Sequence, residues 1–422
     1  MNFRATSISA WIIPLIYAGS SILFSFAAPR LGQSLWPNLT STVSVSAAIG
    51  IYSAVASGML ALTAIVFSLT FLMVQFSATA YSPRLVLWVA RDRFVPHAMG
   101  VFTGTFLYAL ASLAWVDRYG LGRVPLVGAI GVVSLLIVSI IMFIGLIQRV
   151  NRLRITEMLM FTSEQGRAVI EKLYPPIETP SVSWVMPIQS PCTQTLFHHG
   201  LPRKVQSIDI AALFRLASAA GGVIEMVSAV GDAVMELTPM LRVHGCSRQI
   251  PEEALRKTIQ LGDERTFEQD PKYAIRLLVD IAIKALSPAI NDPTTAVQTL
   301  DQIGDLLVRL GRRRLETGTF RDGRGELRVL VIFPTWDDFL ALALDEIRSY
   351  GATSVQVMRR MMALVRELLA IMPEERQPAL HHWLERLRNT VARTFHDPED
   401  VLSASLEDRQ GLGTSRPEHK TH

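Results

Sequence analysis

Apolar positions run almost unbroken through the first third of the chain and turn periodic in the rest. A helix needs about 20 apolar residues to cross a bilayer. Four stretches meet that length without a charge: 5–29, 46–80, 94–116 and 124–148. The second lies in an uncharged run, 31–83, long enough for two spans. No proline or charged turn falls near Gly50 or Gly58, so one long helix is expected there. Beyond residue 148 the helical pattern continues to about Tyr174, where Pro175-Pro176 stops it. Residues 177–204 are rich in Pro, Ser and Thr and read as a loop.

The pattern then shortens. "KVQSIDI" (204–210) reads as a strand and "AALFRLASAAG" (211–221) as a helix. "GVIEMVSA" (222–229) and "VMELTPMLRV" (234–243) read as strands around a Gly231-Asp232 turn. Apart from a strand at 327–333, the remainder is helical. Leu380, Leu384, Leu387 and Val391 recur on one face, and 355–372 is amphipathic and methionine-rich; both read as core. The polar tail from Ser403 is expected to be disordered.

The expected fold is an α-helical integral membrane domain of about four transmembrane helices, followed by a cytosolic α+β, mostly helical, region. Its divisions are 1–150 (membrane), 151–204 (helical extension and linker), 205–250 (small α+β module), 251–402 (helical, one strand) and 403–422 (tail).

Two helices open alike. Asp270-Pro271 precedes a run with Ile275, Leu278, Ala282 and Ala285 on one face. Ser287-Pro288 ends that run, and Asp292-Pro293 starts the next, with Val297, Leu300, Gly304, Leu307 and Leu310 inward. Aspartate caps helix N-termini and proline suits the first turn. Asp397-Pro398 repeats the device. On this reading Asp292→Ala costs about 1 kcal/mol. A connector does not need the remaining polar residues of "ALSPAINDPTTA", however. Asp280, Lys284, Ser287, Asn291, Asp292, Thr294 and Thr295 therefore form a candidate ligand corner, where a cation and hydroxyls at a helix N-terminus would hold a small anion or phosphate. Arg276, Asp280 and Lys284 are spaced for an ion-pair ladder, which is the structural alternative.

The second apolar segment carries a polar, small-residue face: Ser53, Ser57, Ala61, Ala64, Ser68, Gln75 and Thr79. Close helix packing explains such a face, and so does a pore or substrate path. Gly100 and Gly104 in the third segment also favour close packing.

Charge sharpens the division. Of 41 basic and 37 acidic side chains, 34 and 35 lie beyond residue 148. The basic excess sits among the apolar runs, so no nucleic-acid partner is expected. Arg4, Arg84, Arg91, Arg93, Arg149, Arg152 and Arg154 fall on one side of a four-span topology, against Arg30, Arg118 and Arg123 on the other. By the positive-inside rule the C-terminal region is cytoplasmic, in a multi-pass protein of the bacterial inner membrane. The first segment also fits a cleaved signal peptide, and three remaining spans leave the same orientation. Two cysteines, Cys192 and Cys246, make no framework.

No zinc-protease, nucleophile-elbow, P-loop or dinucleotide motif occurs, so the sequence gives an enzyme little support. No catalytic residue, metal or cofactor is expected. The adjacent pairs His198-His199 and His381-His382 diverge and do not make a zinc site.

"RTFEQDPKYAIRLLVDIAIKALSPAINDPTTAVQTLDQI" (265–303) resembles the signature of a bacterial membrane-protein family, domain of unknown function family 2254. "VQFSATAYSPRLV", "GVFTGTFLYAL", "VQSIDIAALFRLA", the Gly231-Asp232 turn and "IRSYGATSVQVMRRM" extend the likeness through most of the chain. The resemblance implies the same topology and domain order, and supplies no activity. Where that family often has a His-His pair, this chain has Gly145-Leu146.

Two functions follow as expectations. One is a channel or transporter with a cytosolic regulatory domain, homo-oligomeric because four helices make a narrow pathway. The other is a membrane-anchored sensor or scaffold that binds a small ligand, a partner protein or lipid headgroups. The bilayer is the partner in both.

Overall fold

The computed structural model describes residues 12–35, 43–80, 94–116, 124–151, 155–177, 188–315 and 318–412. The chain divides into two compact units, Met1–Ile155 and Thr156–His422.

The first unit holds α1 (Ile12–Leu35), α2 (Val45–Ala80), α3 (Phe94–Leu113) and α4 (Leu126–Asn151). All four are long and apolar enough to cross a membrane. The third is the most enclosed. Its Gly100 and Gly104 let α1 approach, since a Cβ at either would meet Tyr17 or Ser21 at 2.6 Å. Tyr108 packs against Gly131 of α4, and the Thr105 and Ser139 hydroxyls, both fully buried, bond at 2.9 Å. One polar pair was not anticipated: the Tyr17 hydroxyl meets His97 Nδ1 at 3.2 Å between α1 and α3.

The second unit begins within α5 (Ile155–Leu173), at Thr156. β1 (Cys192–Phe197), β2 (Arg203–Ile208), α6 (Ile210–Ala220), β3 (Val223–Met226), β4 (Ala233–Val234), β5 (Pro239–His244), α7 (Glu252–Arg256) and β6 (Ile259–Gly262) follow. Next come α8 (Pro271–Ala285), α9 (Pro293–Gly311), β7 (Thr319–Arg321) and β8 (Leu327–Leu330). α10 (Trp336–Tyr350), α11 (Val355–Ile371), α12 (Gln377–Thr394) and α13 (Pro398–Ser405) complete it. One sheet has the order β1-β5-β3-β8-β7, antiparallel except for β3–β8, and the other β4-β2-β6. Both bury one core that includes Leu196, Val205, Leu213, Ile224, Leu241 and Val329.

The helical layer has its own interior. α8 and α9 pack together, α10 covers α8, and α11 lies between α9 and α12. Leu278, Leu300, Leu344, Met361 and Leu387 are fully buried there. α5 packs closely on this layer through Gly166, where a Cβ would meet the Ala274 and Leu306 side chains at 3.0 Å, with Arg167–Asp305 and Arg309–Glu171 ion pairs at 2.6 Å alongside.

Three strands depart from the sequence reading. β1 lies where a linker is expected, and β6 and β7 lie where helices are. β1 buries only Leu196 fully, and β6 and β7 have four and three residues. Such segments carry too little alternation to announce a strand; cross-strand partners distant in sequence decide them. The small α+β module thus draws strands from well outside 205–250. The tail is also corrected in its first part. α13 covers Pro398–Ser405, and the chain beyond it docks on α11: buried Asp408 accepts from Gln410 and Gly411 N–H groups, and Gln356 Nε2 donates to the Gly411 carbonyl at 2.6 Å. Residues 413–422 lie outside the described residues.

Candidate functional site

The two Asp-Pro starts stand at opposite ends of α8. Asp292 accepts from the Thr295 N–H at 3.1 Å and the Thr295 hydroxyl at 2.6 Å. The rest of that corner bonds to itself: the Ser287 hydroxyl donates to the Lys284 carbonyl at 2.7 Å, and the Asp292 N–H to the Ala285 carbonyl at 2.8 Å. Asn291 is exposed at φ 48°, a left-handed conformation that asparagine tolerates better than most residues, and Thr294 is exposed. Asp280 is drawn elsewhere. Arg276 binds it together with Glu346 of α10, with Nε–Oδ1 at 2.7 Å. The Arg276 bond holds the Glu346 carboxyl below its ordinary value, and the same bond pushes the guanidinium upward. Of the seven candidate residues, the structure thus joins Asp292 to Thr295 and Ser287 to the Lys284 backbone, and ties Asp280 into a separate network.

The polar face of α2 points away from the helical core. Ser53, Ser57, Ala61, Ala64, Ser68 and Gln75 are exposed, while Tyr52, Val55, Ala56, Met59 and Val66 are buried. The Ser57 hydroxyl donates back to the Ser53 carbonyl at 2.8 Å. The Thr79 side chain lies outside the described residues.

The other Asp-Pro start opens into a shallow cleft whose enclosed space is about 30 Å³, and the figure reaches about 450 Å³ only when its open, solvent-continuous mouth is counted. Asp270 is only 1 % exposed. It caps α8 through the Tyr273 N–H at 3.2 Å, and its Oδ2 accepts from Arg265 Nε at 2.7 Å. Burial pushes this carboxyl up, against the pull of Arg265 and Lys272. The Gly231-Asp232 turn lies directly over the ion pair. A Cβ on Gly231, at φ 91°, would collide with the Arg265 guanidinium and Asp270 Oδ2, so only glycine fits. Gln269 pins the end of β2 by accepting from the Ile208 N–H at 2.9 Å and donating to its carbonyl at 3.2 Å.

Tyr174, just past α5, completes the cleft. Its ring stacks edge-to-face on Phe333 and Phe339, and its buried hydroxyl has no hydrogen-bond partner among the described residues. Burial, with Asp270 adding to it, pushes that hydroxyl's pKa up. An unpartnered buried polar group costs stability and marks a place where a ligand or water supplies the missing bond. The sequence reading treated Asp270 as a cap, Gly231 as a turn and Tyr174 as a helix end. Their conjunction spans nearly a hundred residues, and the quoted signature hinted at it only by covering Arg265 and Asp270 together.

The family described as predicted membrane protein, DUF2254, matches residues 8–367. The chain belongs to that family. It is 27% identical over 420 residues to an uncharacterised protein of Mycobacterium bovis and to two of Mycobacterium tuberculosis, covering 94% of this chain and 79% of each relative. No solved structure matches. The residues of both Asp-Pro starts, the Gly231-Asp232 turn and Tyr174 all fall inside the family match.

Proposed function

We propose that this DUF2254 protein is a membrane-anchored sensor whose second unit binds a small ligand in the Asp270 cleft. In this reading α1–α4 span the bacterial inner membrane, and the arginine asymmetry of the connecting segments puts the second unit in the cytoplasm. The unpartnered Tyr174 hydroxyl carries the ligand reading. Its position carries the sensing: Tyr174 directly follows α5, the next described helix after the last apolar one. A ligand held there acts on the segment that ties the soluble unit to the membrane helices.

A thermal-shift screen of small molecules against the full chain in nanodiscs tests this reading. Stabilising compounds should lose their effect in Tyr174→Phe and keep it in Asn291→Ala. The reverse pattern would move the site to the second Asp-Pro corner. Orientation has its own test in exposed Cys192. A membrane-impermeant maleimide should label it in lysed spheroplasts and leave it unlabelled in intact ones.

One observation favours transport instead, the outward polar face of α2. Such a face lines a pathway only between copies of the chain, so this reading requires an oligomer. Ion flux into liposomes that vanishes in Gln75→Leu would support it, and absence of flux under several gradients would leave the sensor.

A further inference from the structure

The hydrogen-bonding capacity left over at the cleft narrows its ligand. Four side chains there have polar groups: Gln269, Asp270, Lys272 and Tyr174. Two are committed. The Gln269 amide is used in both directions by Ile208, and the Asp270 oxygens serve the α8 cap and Arg265. Two are not. The Tyr174 hydroxyl is buried without a partner. Lys272, half-buried in the lining, makes no hydrogen bond or ion pair with a described residue, and its charge draws the Asp270 carboxyl down.

Both leftover groups donate. An ammonium has no acceptor, and a phenol that lines the same cleft as an ammonium serves an anionic oxygen best. Asp270 would repel an anion, yet Arg265 at 2.7 Å neutralises it, so the uncompensated charge of the cleft is that of Lys272. The remaining walls are mostly apolar, with Leu173, Ile208, Val230, Val331 and Phe333 prominent. Inorganic phosphate would lose hydration against such walls without replacement. An organic anion with one charge and an apolar body satisfies both halves.

We propose that the cleft binds a small monocarboxylate, its carboxylate between the Tyr174 hydroxyl and the Lys272 ammonium and its aliphatic or aromatic body against Ile208, Val331 and Phe333. This rests on the ligand-binding reading above and adds the chemical class.

Calorimetric titration of the full chain in zwitterionic nanodiscs tests it, with hexanoate and benzoate as carboxylates, and hexanamide and hexylammonium as neutral and cationic counterparts. A carboxylate should bind at least roughly tenfold more tightly than hexanamide, the size of one charge-assisted hydrogen bond. Tyr174→Phe and Lys272→Met keep side-chain bulk, and each should weaken carboxylate binding roughly tenfold. Lys272→Met should also flatten its salt dependence and leave hexanamide unchanged. Preference for hexylammonium or hexanamide, still lost in Tyr174→Phe, overturns the carboxylate assignment and leaves the cleft as the site. Carboxylate binding indifferent to both variants places it elsewhere and overturns the proposal. No heat from any of the four probes, with Tyr174→Phe merely raising the melting temperature, overturns both the class and the ligand-binding reading.

Discussion

Asp270-Pro271 and Asp292-Pro293 open consecutive helices with the same device, a carboxylate on the third N–H and a proline in the first turn. Asp292 sits at an outer corner, where the Thr295 hydroxyl bonds to it and the Ser287 hydroxyl bonds to the Lys284 carbonyl. Asp270 sits inside, where a guanidinium holds one oxygen, a glycine turn closes over it, and a phenol without a partner stands near. The contrast teaches that a cap's chemistry is written locally and its role is not. A polar cluster in the sequence drew attention to the outer corner. The inner one carries the signs of a site, because unmet hydrogen bonding is a property of surroundings.

The comparison can be broken by substitution, with unfolding of the full chain in detergent as the readout. Asp270→Ala removes a cap and strands Arg265, so it should cost about 3 kcal/mol, while Asp270→Asn, which keeps a capping oxygen, should cost about half. Equal losses for Asp270→Ala and Asp292→Ala would erase the distinction. Gly231→Ala should cost about 2 kcal/mol, through its positive φ and its collision with the ion pair. At the outer corner Asp292→Ala should cost about 1 kcal/mol and leave ligand effects intact. Tyr174→Phe should move the other way and stabilise the unliganded chain by about 1 kcal/mol, since it removes a buried hydroxyl without a partner.

The smallest effect is a pH dependence that asks whether Asp280 belongs to a structural network. Glu346 shares Arg276 with Asp280, and its folded carboxyl titrates below its ordinary value. Its contribution is therefore complete above the unfolded value, roughly pH 4, and is lost as pH falls through the folded value. The stability gap between the parent chain and Glu346→Gln should be widest near neutrality and close on acidification. Because the Glu346 side chain is nearly half exposed, solvent screening keeps the gap small. A gap that does not change with pH would remove the ion-pair explanation.

Much of the fold was legible beforehand, for reasons that can be named. Helices α8 and α9 began at their Asp-Pro signals because cap and proline act on their own backbone. Stripes such as Leu380, Leu384, Leu387 and Val391 were buried as their spacing predicted. β1, β6 and β7 were not legible, since each depends on a partner strand contributed by another part of the chain. Nor was the docked stretch after α13, where the Gly411 carbonyl accepts from Gln356 and Arg409 pairs with Glu367, both on α11.

By itself the sequence determined the division into an apolar and a charged unit, the four long helices, the caps and most of the packing stripes. Composition and short-range periodicity settle these, because burial of an apolar face and capping of a helix end need only neighbouring residues. Tertiary structure alone decided which face of α2 turns inward. Tyr52, Val55 and Met59 are enclosed and Ser53, Ser57 and Ser68 are not, which an apolar helix with a weakly polar stripe does not declare. It alone also brought Tyr174 and Asp270 to one cleft and set Gly231 and Arg265 against Asp270. Unsatisfied hydrogen bonds and excluded water arise only when distant segments close on one another, and no local pattern records that closure.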